Sequence, residues 1–107
     1  MPFYLVQASY SAQATAAMIK NPQDRAAAVR PVIERMGGKL HGLWFSFGEY
    51  DAIVIAEMPD NVSAGAVAMA VGSSGGVSAY RTSPLLTTAE AMEAMKKASG
   101  VGYQPPK

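Results

Sequence analysis

Apolar residues cluster in four short stretches of the chain that are bounded by glycine, proline or polar residues, and these stretches predict β-strands. Gly48 joins the second and third stretches, which predicts an antiparallel hairpin with this glycine at positive φ. Pro84 follows the fourth stretch and is expected to end it, because proline has no N–H for a sheet ladder. The predicted strands cover residues 3–9, 39–47, 51–58 and 77–83.

Helix signals lie before and between the later strands. Ser11 is a candidate N-cap for a helix after the first strand. Asn21 is predicted to be the N-cap of the next helix, with Pro22 at its first position and Asp24 in its first turn. This helix is expected to kink at Pro31, which lacks an N–H, and to end at the glycine pair 37–38.

The second half of the chain predicts two more helices. Asp60 is expected to cap a helix that continues to about residue 71. Thr87 and Glu90 have the T-x-x-E spacing of a capping box and predict a last helix. The buried stripe of that last helix is predicted to be formed by Met92 and Met95.

The resulting order is β-α-β-β-α-β with an extra C-terminal helix, which is the ferredoxin-like pattern. It predicts an α+β protein in which helices cover one face of an antiparallel four-stranded sheet. The other face is expected to be open and apolar, and a small domain does not leave such a surface in water. We therefore expect a second sheet to cover it in a homo-oligomer. The apolar residues predicted on this face are Phe3, Leu5, Ile53 and Ile55.

Length and composition limit the class of protein. The 107 residues allow one domain, which we assign to residues 1–100 with residues 101–107 as an extended tail. The net charge of +1, with scattered basic residues, argues against a nucleic-acid partner. The absence of cysteine excludes disulfides and thiolate chemistry and fits a reducing, cytoplasmic location. No signal peptide or membrane span is recognisable, so no membrane partner is expected.

Three segments carry a resemblance to a known family. They read "NPQDRAAAVRPVIERMGGK", "GGKLHGLWFSFGEYDAIVIAEMPD" and "AVGSSGGV". Together they resemble the GYD domain family over about residues 3–83, with the signature formed by Gly48, Tyr50 and Asp51 around an inserted Glu49. The resemblance implies a dimeric α+β-barrel assembly. It implies no single activity, because that superfamily holds haem enzymes, cofactor-independent monooxygenases, lactone isomerases and non-catalytic binders of small molecules.

The turn motif Gly48, Glu49, Tyr50 and Asp51 has two interpretations. In the first, the Asp51 carboxylate faces the open side of the sheet and acts as a base or a polar anchor. In the second, Asp51 accepts hydrogen bonds from backbone amides while Tyr50 fixes the hairpin by packing. We favour the structural interpretation.

The remaining acid–base candidates are sparse. Glu57 shares a predicted face with Asp51 but lies roughly 20 Å away along the strand, too far for a shared proton. His41 is the only histidine, so no metal site is predicted. Axial ligation of haem by His41 is possible in principle. A lone strand histidine is more often a partly exposed polar residue, and we expect no cofactor.

Aromatic and polar strand residues suggest a pocket between the open face and a partner subunit. The same groups also suit a dry seam between subunits. Our leading hypothesis is a cytoplasmic homo-oligomer that binds a small apolar molecule there. One alternative is a cofactor-independent isomerase or monooxygenase, in which Asp51 or His41 moves protons and Tyr50 or Tyr80 orients the substrate. Another is a purely structural seam. The predicted pocket residues are Gln7, Ser9, Trp44, Ser46, Tyr80 and Thr82.

Overall fold

The computed structural model describes all 107 residues and contains four β-strands and four α-helices. No helix combines the length and the apolar content that a membrane crossing requires. In chain order the elements are β1 (Phe3–Tyr10), α1 (Ala12–Lys20), α2 (Arg25–Arg35), β2 (Lys39–Phe45), β3 (Ala52–Glu57), α3 (Asn61–Ser73), β4 (Val77–Leu85) and α4 (Thr88–Ala98).

The four strands form one sheet in the order β2-β3-β1-β4, and every neighbouring pair is antiparallel. The predicted α+β class and antiparallel four-stranded sheet are therefore confirmed. β1 lies inside the sheet, between β3 and β4, so β2 and β4 are its two edges. Between β1 and β2 the chain forms two helices, where the βαββαβ pattern has one.

The core lies between one face of the sheet and the helices. Strand residues on this face alternate with residues on the opposite face, and Tyr4, Val54 and Ala56 are among those that are buried. Helices α2 and α3 contribute Ile33 and Val67 to the same cluster. The helix-covered face therefore holds the core, while the other face has no layer of its own.

Gly38 occupies the tightest place in this packing. A Cβ atom at this position would meet the carbonyl oxygen of Glu57 and would lie 2.6 Å from the Met58 sulfur and 3.0 Å from Cγ2 of Ile33. A side chain is excluded because α2 turns into β2 directly against the end of β3. Gly38 therefore lets helix and sheet approach each other.

Most predicted helix caps are confirmed. Ser11 accepts a hydrogen bond from the Ala14 N–H, and Asp60 accepts one from the Ser63 N–H. Thr87 and Glu90 form the reciprocal capping box at the start of α4. These signals are local in sequence, which is why they predict the helix starts correctly.

The predicted start of the second helix is wrong. Asn21 is the C-cap of α1, and Asp24 is the N-cap of α2, where its carboxylate accepts hydrogen bonds from the N–H groups of Ala26 and Ala27. Asp24 is the N-cap because its side chain reaches two free backbone amides at once. The predicted end of this helix is confirmed, since α2 runs through Pro31 to Arg35 and has Met36 as its C-cap, directly before the glycine pair.

Both edge strands carry an interruption. In β2 the register shifts between Leu40 and Gly42, so His41 is an extra residue in a β-bulge. In β4 the strand continues through Pro84, which pairs opposite Tyr4, so the prediction that Pro84 ends the strand is wrong. An edge strand tolerates proline because its outward N–H groups have no strand partner.

Helix α4 differs most from the prediction. Met92 and Met95 are 58% and 67% exposed, so the expected buried stripe has nothing packed on it. α4 has no extensive contact with any other element, and the molecule is elongated, measuring 56 × 35 × 22 Å. The sequence shows the apolar stripe of this helix correctly, but the chain does not supply a surface that covers it.

Candidate functional site

The connection between β2 and β3 is a loop of residues 46–51. Positive φ angles occur at Gly37, Gly75 and Gly102 alone, so the predicted tight turn with Gly48 at positive φ is wrong. A loop of this length reverses the chain without the special backbone angles that two-residue hairpins require.

Asp51 anchors this loop to the end of β1. Its Oδ2 accepts a hydrogen bond from the Tyr10 N–H at 3.0 Å, and its own N–H donates to the Ala8 carbonyl at 2.8 Å. The Ser9 hydroxyl donates to the Glu49 carbonyl at 2.8 Å. These bonds lie where the pairing between β1 and β4 shifts register, at Ser9 and Tyr10. The Asp51 carboxylate therefore accepts a hydrogen bond from a backbone amide at the end of β1, as the structural interpretation of the motif requires.

We expect Asp51→Ala to destabilise the protein by roughly 1–3 kcal/mol, because it leaves the half-buried Tyr10 N–H without an acceptor. Asp51→Asn keeps an oxygen in the same place and should cost clearly less. Urea unfolding of both variants measures the difference. Equal losses for the two variants would mean that the negative charge at Asp51, and not its acceptor geometry, is what matters.

His41 and Glu57 form the one close contact between a basic side chain and a carboxylate within the chain. Nε2 of His41 lies 2.8 Å from Oε2 of Glu57, and the His41 ring centroid lies 5.2 Å from that of Phe3. The bulge in β2 makes this pairing possible, because it adds His41 to the edge beside the end of β3. The hydrogen bond from His41 holds the pKa of Glu57 below its usual range. Glu57 and Asp51 act at opposite ends of β3.

The contact between His41 and Glu57 predicts how the stability of the fold depends on pH. A lowered pKa means that Glu57 stabilises the fold above its unfolded-state pKa, and that this contribution is lost as pH falls through the folded-state pKa. His41→Ala should return the pKa of Glu57 toward its usual range, as followed by ¹³C NMR titration of the carboxyl. The Glu90 carboxyl, whose pKa is lowered by its bonds to Thr87, is the internal control and should not move. An unchanged Glu57 titration in His41→Ala would disprove the link.

The predicted pocket residues do not share one surface. Gln7 lies opposite Arg81 in the sheet, so these two share the open face. Tyr80 and Thr82 alternate with Arg81, and both border a cavity on the helix-covered face. The six predicted pocket residues therefore lie on different faces of the sheet. Alternation along β4 predicts which of its residues share a face, but it does not predict whether that face is the open one.

The open sheet face, as we call it, is defined by side chains from all four strands. Trp44 is the most exposed of its large apolar residues at 56%, and its ring lies directly over Gly42. The His41–Glu57 pair is at one edge of this face. Ser46, from the predicted pocket, is exposed in the loop that follows β2. The residues of the open sheet face are Phe3, Leu5, Gln7, Ser9, Lys39, His41, Gly42, Trp44, Ile53, Ile55, Glu57, Ala79, Arg81, Ser83 and Leu85.

A second feature lies on the other side of the sheet and was not predicted. Two neighbouring cavities of about 220 and 100 Å³, both partly open to solvent, lie among the helices and the helix-covered face of the sheet. Tyr80 lines the smaller one, and burial raises the pKa of its hydroxyl. Arg25, the first residue of α2, borders both cavities. The sequence carries one weak signal for this site, which is that Arg25 follows the helix N-cap Asp24 directly. It gives no information on the distance between the sheet and the helices.

The acidic side chains and His41 are too dispersed to hold a metal ion. What the structure defines is an α+β protein with a four-stranded antiparallel sheet, helices on one face and an apolar surface on the other. The family model of the GYD domain matches residues 4–95, and the chain belongs to this family. The match extends beyond residue 83 and includes most of α4. Comparison with curated proteins finds no match to the chain.

Proposed function

We propose that this protein is a cytoplasmic homo-oligomer that binds a small apolar molecule between its open sheet face and a partner subunit. The observation that carries the proposal is the open sheet face itself. Trp44 is 56% exposed there, beside the incompletely buried Leu5, Ile53 and Ile55. An apolar surface of this kind on a small domain is typical of an interaction site.

The strand order supports the assembly that this proposal needs. Read from the other edge, the order is β4-β1-β3-β2, which supports a ferredoxin-like arrangement with a free sheet face. Two such faces can pack against each other as sheets do in a sandwich, at a separation of roughly 10 Å. This is the dimeric α+β-barrel type of assembly.

Helix α4 gives independent support. An isolated helix of 11 residues is marginal in water, because the cost of its first turn is repaid only by tertiary packing. Its exposed Met92 and Met95 lack that packing within one chain. A second copy of the chain would supply it, and the tail beyond Gly100 would lie in the same seam.

The composition of the open sheet face favours a ligand in the seam. Trp44 and Phe3 offer flat apolar walls, and the His41–Glu57 pair and Gln7 offer a few polar groups. Small-molecule sites commonly combine such walls with a small number of polar contacts.

One observation favours the enzymatic alternative, a cofactor-independent isomerase or monooxygenase. The Glu57 carboxylate orients the His41 ring, which is the arrangement of a histidine general base. Asp51 suits this role less well, since its carboxylate binds the Tyr10 N–H. Under this alternative, His41 moves the proton and Phe3 contacts the substrate.

Sedimentation equilibrium and native mass spectrometry of the purified protein test the proposal. We expect a mass that is a multiple of the 11.2 kDa chain, with additional mass that is released on denaturation. An oligomer without additional mass would support the purely structural seam. A monomer at micromolar concentration would overturn the proposal.

A further inference from the structure

The space between the sheet and the helices has the composition of a binding cavity. The inner cavity, of about 100 Å³, is lined almost entirely by apolar side chains, including Val6, Val29 and Val54. The outer cavity, of about 220 Å³, lies between α1, the start of α2 and the end of α3, and it includes Ala17. The two share Tyr10, Arg25, Val71 and Val77 and therefore lie side by side.

Arg25 is the one charged side chain in this lining. One of its terminal nitrogens donates a hydrogen bond to Oε1 of Gln23 at 2.7 Å. Its Nε atom is buried and has no hydrogen-bond partner. No carboxylate of the chain forms an ion pair with it, since the only such pair is His41–Glu57. A buried guanidinium donor without an acceptor is costly, and a carboxylate is the group that satisfies it best.

We propose that this cavity binds a small monocarboxylate, with its carboxylate on Arg25 and its short apolar part among the valines of the inner cavity. Drug-sized ligands occupy pockets of roughly 300–1,000 Å³. The inner cavity has only about 100 Å³, so it selects the apolar part of a short aliphatic or single-ring acid. A phosphate ester fits less well, because the lining offers one cation and few other donors. The site lies on the opposite side of the sheet from the proposed seam and does not depend on it.

The far end of the same layer offers a ligand no second polar contact. Thr82 has a buried hydroxyl oxygen without a partner, but the space beside it is only about 10 Å³. That volume holds at most one water molecule and no ligand group. Recognition of polar groups is therefore concentrated at Arg25.

Titration of the full chain with hexanoate, followed by calorimetry and by ¹⁵N amide shifts, tests this proposal. The neutral probe 1-hexanol serves as the comparison. Hexanoate should bind about tenfold more tightly than hexanol, and Arg25→Gln should remove that difference. Arg35→Gln, which makes the same charge change at the exposed end of α2, should alter the affinity by less than about twofold. The amide shifts should centre on Val71 and Val77.

A second variant keeps the test decisive if Arg25→Gln fails to fold. Ala17→Phe fills the outer cavity and retains Arg25, so it should weaken both probes together. No saturable hexanoate binding at millimolar concentration would overturn the proposal, and so would shifts centred on the open sheet face. An Arg25→Gln variant with unchanged affinity would also overturn it. If Arg25→Gln changes the oligomeric mass, a carboxylate of a partner subunit binds Arg25 instead, and this result would also overturn the proposal.

Discussion

Replacing Gly38 with alanine is expected to destabilise the protein by roughly 3 kcal/mol or more, at the upper end of the cost of overpacking. The added methyl group would meet the carbonyl oxygen of Glu57 and lie 2.6 Å from the Met58 sulfur. The methionine can move, but the carbonyl belongs to β3, which is paired on both sides. Urea unfolding measures the loss, which is a large part of the free energy of unfolding of a small domain, roughly 5–15 kcal/mol.

Gly65→Ala is the matched control for this prediction. Gly65 lies within α3, and a Cβ atom there would have no neighbour within 4 Å. Alanine at an exposed helix position usually stabilises, by about 0.5–1 kcal/mol. The two substitutions should therefore change stability in opposite directions. A Gly38→Ala protein as stable as Gly65→Ala would show that α2 and β3 separate easily.

The second large effect concerns assembly. Ile55 lies near the centre of the open sheet face, opposite Leu5 on β1 and Gly42 on β2. Ile55→Lys would place an unpaired charge in the proposed seam, and such burial costs roughly 3–5 kcal/mol. We expect the dissociation constant of the oligomer to rise on the order of 100-fold or more, measured by sedimentation equilibrium.

Met69→Lys is the control, because Met69 is 77% exposed on α3, on the helix side of the sheet. It should leave the mass of the assembly unchanged. If Ile55→Lys assembles as well as the unaltered chain, the open sheet face is not the seam. If Met69→Lys alone dissociates the protein, the helices form the interface instead.

Local signals in the sequence predict the elements of this fold well. The caps at Ser11, Asp60 and Thr87 each depend on hydrogen bonds within three residues, and all three form as expected. The same rule predicts the start of α2 wrongly, because Asn21 and Asp24 are both cap residues and lie three positions apart. Both are good cap residues, and Asp24 is the one whose carboxylate accepts hydrogen bonds from two free amides of α2.

Features that depend on distant parts of the chain are less predictable. The pairing of His41 with Glu57 requires a bulge in β2, and no two-residue period shows where an extra residue will fall. The sequence predicts Tyr80 and Thr82 on the open face, but the pairing of β4 with β1 puts both on the helix-covered face. The Arg25 site depends on the distance between two layers, which is a property of the whole core. The sequence therefore indicates which residues lie on strands more reliably than which of them share a surface.

The bulge at His41 and the proline at position 84 have a shared consequence for how copies of this chain meet. Each sits on an outer strand, where an uninterrupted ladder would invite the strand of another molecule to extend the sheet sideways. Bulges and prolines both disfavour such extension. Sideways growth of the sheet into ribbons or fibrils is therefore disfavoured at both edges, although the chain carries an exposed apolar surface.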